Sequence, residues 1–506
     1  MSTLSELFPS GGTQNSLDFV AQSAINNGQT VALRSDGKVE PVVQTTIGSS
    51  VSSQVSIRNP ASGTGGQMSS AVPVFDAANN RYIVFWYDGY RCNLRAGAVA
   101  ANGAITWGTT LGLGISYKSG FAWDSTQGYG MVVTSDNSYQ VRVISIDSSN
   151  NITSSSNVWG GRAGGDSSYG PTVSFDPSSG RMLIFEAKDI WNSYGPICIP
   201  IEITGSSSIT VGTATSISSN QTRLESMQAA YDSVNEITVV TRDVYGLAYP
   251  ALVPITDTGS GGVTVGTAVR LGTTTEDGSL VVSMNGSEGV AVHDMYSGSG
   301  STYRVVGYAF DVSGTTITAG SPTNFGSYAS RTVPYSLGVT YENRSNTYVT
   351  TWNQQSGSVA YFALATKSSS SISWSSIGTI NSTNPAAFVN GRRMTNAAAP
   401  STSAGYGFIL FPYITDSSGT RDYVYRLVTP SYSQSNSADF IGTANAAISS
   451  GATGGITVLG GLVTNQTGLT AGSDYFVQGN GTLGTTSTSV AAGKAISAQS
   501  ISLVDL

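Results

Sequence analysis

The chain has 506 residues, of which 10% are charged, with 23 Lys and Arg, 30 Asp and Glu, and one His. So few basic residues argue against a protein that binds nucleic acid through its phosphates, and one histidine with two cysteines excludes a Cys/His zinc site and a disulfide framework. No run of 18 apolar residues is present, so we expect no membrane insertion, while 25 Tyr, 15 Phe and 7 Trp can fill cores, unlike in a disordered chain.

Residues 1–13 precede every repeated pattern, and we expect them to form an arm in which Leu4, Leu7 and Phe8 order on a partner protein. The stretch lacks the basic and apolar regions of a secretory signal peptide, so we expect synthesis in a host cytoplasm without export. The body of the chain is nevertheless rich in Ser, Thr, Gly and Asn, as in proteins exposed outside cells. A cytoplasmic product with such a surface is expected in a virus particle.

An aromatic residue followed by an acidic one recurs along the chain, each time before a turn and a β-rich run. Asp and Asn begin such turns by accepting hydrogen bonds from the backbone two residues on. We therefore interpret these acids as hairpin-turn residues and not as catalytic acids. The pairs are Phe75-Asp76, Trp123-Asp124, Phe175-Asp176, Tyr231-Asp232 and Tyr341-Glu342, with Met284-Asn285 as a degraded copy and 401–405 as a poorer one.

A second element follows each pair at a similar distance, an Ile or Val before a Thr or Ser. The repeat length lies near that of propeller blades, ~40–50 residues, and helical periodicity is almost absent. Each unit is therefore predicted to contain four antiparallel strands. The members are Ile105-Thr106, Ile152-Thr153, Ile209-Thr210, Val263-Thr264, Ile317-Thr318 and Ile372-Ser373.

Seven such units fit between about Ser69 and Tyr432, which predicts an all-β chain with a seven-bladed β-propeller over 45–432. The seventh unit lacks a fourth strand of its own, because Pro430 and a polar stretch follow its third strand. We predict that Thr45 to Ile57 supplies the missing strand, which would pair the two ends of the ring.

The segments on either side of the propeller are similar to each other. Asn15-Ser16-Leu17-Asp18-Phe19-Val20 matches Asn436-Ser437-Ala438-Asp439-Phe440-Ile441, and Ala24-Ile25 with Gly28 matches Ala447-Ile448 with Gly451. We expect residues 14–43 and 436–506 to form one small β domain into which the propeller is inserted. The alternative is two separate β segments that share a turn motif.

These flanks also carry a resemblance to known proteins, over residues 19–43 and 440–503. Characteristic stretches are GGLVTNQTGLTAGSDYFVQGNGTLGTT at 460–486 and AGKAISAQSISL at 492–503. They resemble virion proteins of tailed bacteriophages of the marine and cyanobacterial type, in which such a module flanks variable domains of tail-fibre and adhesin-like structural proteins. The resemblance implies a virion structural protein of the tail or an appendage, and it carries no functional residue to this chain.

Few residues have the chemistry of a catalytic site. His293 lies at a predicted strand end next to Asp294, which points to the opposite face of the strand, so we interpret it as a structural histidine. Cys92 and Cys198 fall in units one and three, which are not neighbours, and are expected to be two separate thiols. A glycosidase needs only two carboxylates, but 101–107 is only a near miss to the Asp-box of sialidase propellers. We assign no catalytic residue, metal ligand or cofactor.

The connections between second and third strands, and between units, are expected on one face of the propeller, where they are longer and carry aromatic residues. Aromatic rings stack on the apolar faces of sugars and anchor protein contacts; the competing interpretation is that several of them pack between blades. The candidate ligand-binding residues are Tyr87, Tyr90, Trp159, Arg162, Trp191, Tyr194, Tyr245, Tyr249, Phe388 and Arg392.

The sequence therefore predicts a non-catalytic virion protein of the tail or fibre apparatus, whose propeller attaches to a host-surface glycan or protein through many weak contacts. Other virion proteins are the expected partners of the arm and the terminal β domain. Two alternatives stay open: a purely structural connector of the tail or capsid, and a polysaccharide-degrading tail enzyme. A homo-oligomer is compatible with the sequence, although no heptad region supports a trimer.

Overall fold

The structure is a computed structural model, and the chain divides into two compact units, a terminal unit of Met1–Gly48 with Ser431–Leu506 and a central unit of Ser49–Pro430. It describes residues 15–53, 55–57, 69–87, 91–100, 103–114, 119–135, 139–160, 171–186, 196–218, 227–242, 250–272, 280–297, 302–328, 334–343, 345–354, 359–375, 377–381, 397–398, 409–417 and 420–504.

The central unit is a ring of seven antiparallel sheets, which confirms the predicted all-β, seven-bladed propeller. The inner strands of successive sheets contact one another in chain order, and the inner strand of the seventh, Ala397–Ala398, contacts that of the first, Ser69–Asp76. Closing the sheets radially leaves few exposed edges. Each apolar cluster of the ring lies between neighbouring blades, so the core is a set of blade interfaces.

Each blade has an inner, a second and a third strand, and an outer strand that is interrupted in most blades. Blade 1 contains Ser69–Asp76, Arg81–Tyr87, Cys92–Val99, Ile105–Trp107 and Leu111–Gly112; blade 2 contains Ser119–Asp124, Tyr129–Ser135, Tyr139–Ile146 and Ile152–Ser154. Blade 3 contains Thr172–Asp176, Arg181–Glu186, Ile197–Gly205, Ser208–Val211 and Thr215–Ser216; blade 4 contains Ala229–Asp232, Ile237–Arg242, Ala251–Asp257, Val263–Val265 and Val269–Arg270. Blade 5 contains Leu280–Asn285, Glu288–Ser297, Thr302–Ser313, Thr316–Ala319 and Thr323–Tyr328; blade 6 contains Pro334–Glu342, Thr347–Gln354, Val359–Ser368, Ser371–Trp374 and Gly378–Asn381. Blade 7 contains Ala397–Ala398, Ile409–Ser417 and Thr420–Thr429, with Ser50–Val51 and Val55–Ser56 as its outer strand.

The outer strand of blade 7 comes from the beginning of the chain, as predicted. Ser50–Val51 and Val55–Ser56 both pair with Thr420–Thr429. The predicted segment began too early, however, because Gln44–Ile47 pairs with Tyr432–Ser435 in a two-stranded ribbon of the terminal unit. The ring is therefore joined by backbone hydrogen bonds between segments that are far apart in the sequence.

The acid at the end of an inner strand is buried and holds the turn that follows, which confirms its interpretation as a turn residue. Asp124 Oδ1 accepts hydrogen bonds from the backbone N–H groups of Thr126 (2.7 Å) and Gln127 (3.1 Å). A buried carboxylate that accepts backbone N–H groups fixes the turn geometry at little cost, because both partners are satisfied. The same position is occupied by Asp76, Asp124, Asp176, Asp232 and Glu342.

The Ile-Thr elements form the first segment of the outer strands, and each of these segments is directly followed by a glycine or a serine, two residues after the Thr or Ser of the element. A Cβ at Gly320 would overlap the carbonyl oxygen of Ser370 in the next blade, so only glycine permits this approach. Where serine stands, as at Ser375, its hydroxyl accepts a hydrogen bond from the third-strand N–H of Leu364 (3.0 Å). The glycines are Gly108, Gly212, Gly266 and Gly320, and the serines with this hydrogen bond are Ser52, Ser155 and Ser375.

One position between neighbouring blades carries an ion pair in two interfaces, with the charges reversed. Arg181 begins the second strand of blade 3 and meets Asp257 of blade 4 (Nη1 to Oδ1, 3.2 Å). Glu288 begins the second strand of blade 5 and meets Lys367 of blade 6 (Oε1 to Nζ, 3.3 Å). Two other interfaces have apolar residues at this position. Tyr129 and Ile203 belong to the same apolar cluster between blades 2 and 3, and Ile237 and Val312 belong to the same cluster between blades 4 and 5.

The terminal unit contains two five-stranded sheets and the ribbon. The first sheet has the order Ser16–Val20, Thr453–Val458, Phe440–Ala444, Thr30–Leu33 and Val39–Pro41. The second has the order Leu462–Val463, Ile501–Leu503, Ala491–Ala495, Asp474–Val477 and Leu483–Gly484, and a 3-10 helix spans Ser437–Asp439. The sequence predicted a propeller over residues 45–432. The structure instead places the ribbon residues 44–47 and 432–435 in the terminal unit. The predicted arm, 1–13, lies outside the described residues.

The two similar flanking segments, one from each end of the chain, are related by a local two-fold arrangement. A strand from each segment pairs with a strand from the other. Ile25 and Ile448 donate their N–H groups to each other's carbonyl oxygens, both at 2.9 Å. Strand Ser16–Val20 pairs with Thr453–Val458, and strand Phe440–Ala444 pairs with Thr30–Leu33. The hydrogen bonds from Ala21 to Ala452 and from Gly28 to Ala444 are matched by those from Ala444 to Gln29 and from Gly451 to Ala21.

Candidate functional site

The strand directions give the propeller two chemically different faces. The short-turn face carries the connections from inner to second and from third to outer strands, such as 77–80 and 206–207. The loop face carries the connections from second to third strands and between blades. Two of its connections, 187–196 and 243–250, are longer than the corresponding ones in blades 1, 2, 5, 6 and 7, and both belong to adjacent blades, 3 and 4.

Among the described residues of the ion pairs, the short-turn face exposes acids and buries cations. The side chains of Glu202, Glu288 and Asp311 are 47%, 53% and 47% exposed, whereas Arg181 and Lys367 are 13% and 3% exposed. The cations are directed between the blades and are used in the ion pairs described above. The described part of this face therefore presents negative charge and hydrogen-bonded turns to solvent.

At the loop face, one position of the second strand changes character around the ring. In blades 1 to 6 the last residue of the inner strand, a turn acid or an asparagine, pairs with the first residue of the second strand, and the position in question lies five residues after that first residue. In blades 1 and 6 it holds the buried side chains of Trp86 and Trp352. In three consecutive blades it holds an ionisable residue instead: Glu186, Arg242 and His293. Glu186 and His293 are fully buried and Arg242 is half-buried. Burial lowers the pKa of the Arg242 guanidinium.

In blade 4 this position belongs to a row with two arginines. Arg242 pairs with Ala251, and Ala251 pairs with Arg270 in the outer strand, so the three residues share one face of the sheet. Arg242 donates from Nη1 to the hydroxyl of Ser218 in blade 3 (3.2 Å), and Arg270 is exposed. Both arginines therefore lie at the loop-face end of the interface between blades 3 and 4.

An apolar cluster forms the floor below these arginines. Phe185, Cys198 and Met227 pack there against Val240 and Val253. Burial raises the pKa of the Cys198 thiol, so it remains protonated and behaves as an apolar side chain. The interface thus changes from apolar to cationic toward the loop face.

Among the predicted ligand-binding residues, Trp159 is the one whose side chain the structure describes. It is half-buried and packs against the cluster of Met131, Val133 and Val141 between blades 2 and 3. Its carbonyl oxygen accepts the N–H of Val141 (3.3 Å), in the place where other blades have a second outer segment. The ring is thus partly an interface residue, as the competing interpretation anticipated, and partly open to solvent.

The other predicted residues remain predictions. Tyr87 ends the second strand of blade 1, and its side chain is outside the description. Tyr90, Arg162, Trp191, Tyr194, Tyr245, Tyr249, Phe388 and Arg392 lie outside the described residues. In the sequence, Arg162 lies between blades 2 and 3, and Trp191, Tyr194, Tyr245 and Tyr249 lie within the two long connections of blades 3 and 4.

Sequence analysis missed Glu186 and Arg242 and treated His293 only as a structural residue. The spacing carried part of the signal, because Glu186 and Arg242 each lie ten residues after their turn acid, whereas His293 lies eight residues after Asn285 and shares their position only through the strand pairing. Cys92 and Cys198 are free and buried. Within the described part of the chain, no group of three or more His, Cys, Asp or Glu side chains is arranged to hold a metal ion. No helix of the described chain is long and apolar enough to cross a membrane.

Comparisons with known proteins found similar solved structures but no matching sequence. No protein-family model matches the chain, and no curated protein matches its sequence. It is similar to the Cps50 (Swd1) β-propeller domain of Myceliophteria thermophila (8% identity, TM-score 0.43), covering 73% of this chain and 98% of that one. It is also similar to the GH93 α-L-arabinofuranosidase of Fusarium graminearum in complex with arabinobiose (11%, TM-score 0.41; 75% and 98% covered). A third similar structure is the NanB sialidase of Streptococcus pneumoniae (10%, TM-score 0.40; 73% and 70% covered).

Proposed function

We propose that the protein is an attachment protein whose propeller binds a surface glycan through its loop face. The observation that carries this proposal is the contrast between the two faces. One face consists of short turns held by buried acids, while the other collects the long connections, their aromatic residues and a set of buried ionisable residues. Function-bearing residues concentrate on loops that a rigid scaffold positions.

The chemistry of the loop face suits a sugar polymer. The connections 187–196 and 243–250 contain Trp191, Tyr194, Tyr245 and Tyr249, and aromatic rings stack on the apolar faces of sugars while polar groups bind hydroxyls. The contacts are individually weak, so useful avidity requires several copies on one particle.

We further propose that this particle is a virion and that the protein belongs to its tail or an appendage. The support is the resemblance of residues 19–43 and 440–503 to virion proteins of tailed bacteriophages. In this arrangement the terminal unit and the preceding arm join other virion proteins, and the propeller is displayed.

The test is binding of the full-length chain to an array of bacterial surface polysaccharides. We expect binding that falls about tenfold when Trp191 and Tyr194 are replaced together by serine, because stacking on an aromatic anchor is worth ~1–2 kcal/mol. Val234→Ser is the matched control, since Val234 is exposed on the short-turn face of blade 4.

Equal binding by the wild type and the double variant, or equal loss in the Val234→Ser control, would contradict the proposal. Release of reducing sugar from a bound polysaccharide would instead identify a polysaccharide-degrading enzyme. Coverage of the loop face by another protein in an intact particle would favour the purely structural role.

A further inference from the structure

We propose that Arg242 and Arg270 form a clamp for an anionic group, so that the ligand of the loop face is an acidic glycan bearing carboxylate, sulfate or phosphate. This inference rests on the proposed function and specifies its ligand class. It places the recognition site at the loop-face end of the interface between blades 3 and 4.

The geometry of the row allows both arginines to reach one anion. Arg242, Ala251 and Arg270 are consecutive cross-strand partners, and neighbouring strands lie ~5 Å apart, so the two arginine Cα atoms are about 10 Å apart. The intervening Ala251 is small and buried. Two long side chains can therefore converge above it, and guanidinium groups bind carboxylate, sulfate and phosphate oxygens through paired N–H donors.

Arg242 has donor capacity that the described protein does not use. Its Nη1 donates to Ser218, but its Nε is buried without a hydrogen-bond partner in the described chain. A buried donor without a partner is costly, and burial also disfavours its charge. An anion at this place would satisfy the donor and offset the loss of hydration.

Among the described residues, blade 3 directs a hydroxyl and apolar groups, and no carboxylate, toward Arg242. On this side, blade 3 contributes the hydroxyl of Ser218 above the apolar floor of Phe185 and Cys198. Glu186, the acid at the corresponding level of blade 3, lies on the opposite face of that blade, in the interface with blade 2. Within the described residues of this interface, the acid of blade 4, Asp257, lies at the short-turn end of its strand.

Equivalent rows in other blades lack this pair of cations. They are Trp86, Asn93 and Gly112 in blade 1; Glu186, Ile197 and Ser216 in blade 3; His293, Val306 and Asn324 in blade 5; and Trp352, Tyr361 and Thr379 in blade 6. Among these five blades the pair of arginines is thus confined to blade 4, whose connection 243–250 is among the longest of the loop face. The opposite face exposes acids and would repel the same ligand.

The test measures binding of the full-length chain to immobilised hyaluronate (carboxylate), dextran sulfate, polyphosphate and neutral dextran by biolayer interferometry. We expect binding to at least one anionic polymer, weakened by salt, and no binding to dextran. Arg270→Gln and Arg242→Gln should each weaken that binding about tenfold, because each removes charge-assisted hydrogen bonds. The polymer that responds identifies the anionic group.

Arg91→Gln is the matched control, because Arg91 is an exposed arginine at the loop-face end of blade 1. It removes the same charge and should leave binding within about twofold of the wild type. Arg270 is exposed, so Arg270→Gln tests the clamp even if Arg242→Gln disturbs folding, which near-ultraviolet circular dichroism detects.

Absence of binding to all three anionic polymers overturns the clamp, as does an equal loss in Arg91→Gln and Arg270→Gln. If the polysaccharide array still shows binding that depends on Trp191 and Tyr194, the attachment function stands and only its acidic ligand is wrong. If the array shows no binding either, the proposed function itself fails.

Discussion

The two ion pairs between blades predict unequal costs for the loss of their cations. Asp257 is fully buried, and Arg181 is its cationic partner, with Gly259 N–H (2.9 Å) as a further donor. Arg181→Met leaves a buried carboxylate without a counter-charge, which costs about 3–5 kcal/mol. Lys367→Met also removes a buried cation, but its partners Glu288 and Asp311 are about half exposed and become hydrated, so we expect only ~1–2 kcal/mol.

The comparison is made by urea unfolding of the full-length variants, followed by tryptophan fluorescence and far-ultraviolet circular dichroism. The double variant Arg181→Met with Asp257→Leu serves as the control, because removing both charges should recover most of the stability lost in Arg181→Met. If Lys367→Met destabilises as much as Arg181→Met, or if the double variant recovers nothing, partner burial does not control the cost and the reasoning is refuted.

Three further predictions concern the turns and the blade contacts. Gly320→Ala should lower the free energy of unfolding by ~2–4 kcal/mol, because its Cβ overlaps the backbone of Ser370; an unchanged urea midpoint would contradict this. Gly28→Ala should destabilise the terminal unit by ~1–3 kcal/mol, since its φ is +75° and the Cβ would meet the Asn465 carbonyl oxygen at 2.8 Å; protease resistance of the terminal strands provides the measurement. Backbone N–H donation from Asn151 lowers the pKa of Asp147 from its ordinary 3.8. The Asp147 carboxylate therefore contributes to stability above pH 3.8, and this contribution declines as the pH falls through the lower pKa of the folded state. The difference in unfolding midpoint between the wild type and Asp147→Ala should shrink on acidification, and a constant difference would contradict this prediction.

Much of the ring could be predicted from the sequence because its signals are local. The acids at Asp76, Asp124 and Asp176 begin turns through hydrogen bonds within a few residues, so the pattern survives in each repeat. The Ile-Thr elements mark outer strands for the same reason. The outer strand of blade 7 at 50–56 could be predicted because the seventh unit lacked the fourth strand that the other units have.

Other features depend on contacts that a local pattern does not show. Residues 436–441 nearly repeat 15–20, yet 437–439 form a 3-10 helix where 16–18 begin a strand. The ribbon of Gln44–Ile47 with Tyr432–Ser435 joins residues far apart in the chain. Likewise Arg242 and Arg270 become neighbours only through Ala251 and the cross-strand register, which no sequence spacing displays.

The most direct test of the account is hydrogen–deuterium exchange of the full-length chain with and without the polysaccharide that it binds. The account predicts protection at the loop-face ends of blades 3 and 4, in peptides covering 215–218, 240–252 and 269–272. The turns of the short-turn face, such as 77–80 and 233–236, should exchange unchanged. Protection confined to those turns or to the terminal unit would contradict the loop face as the binding surface.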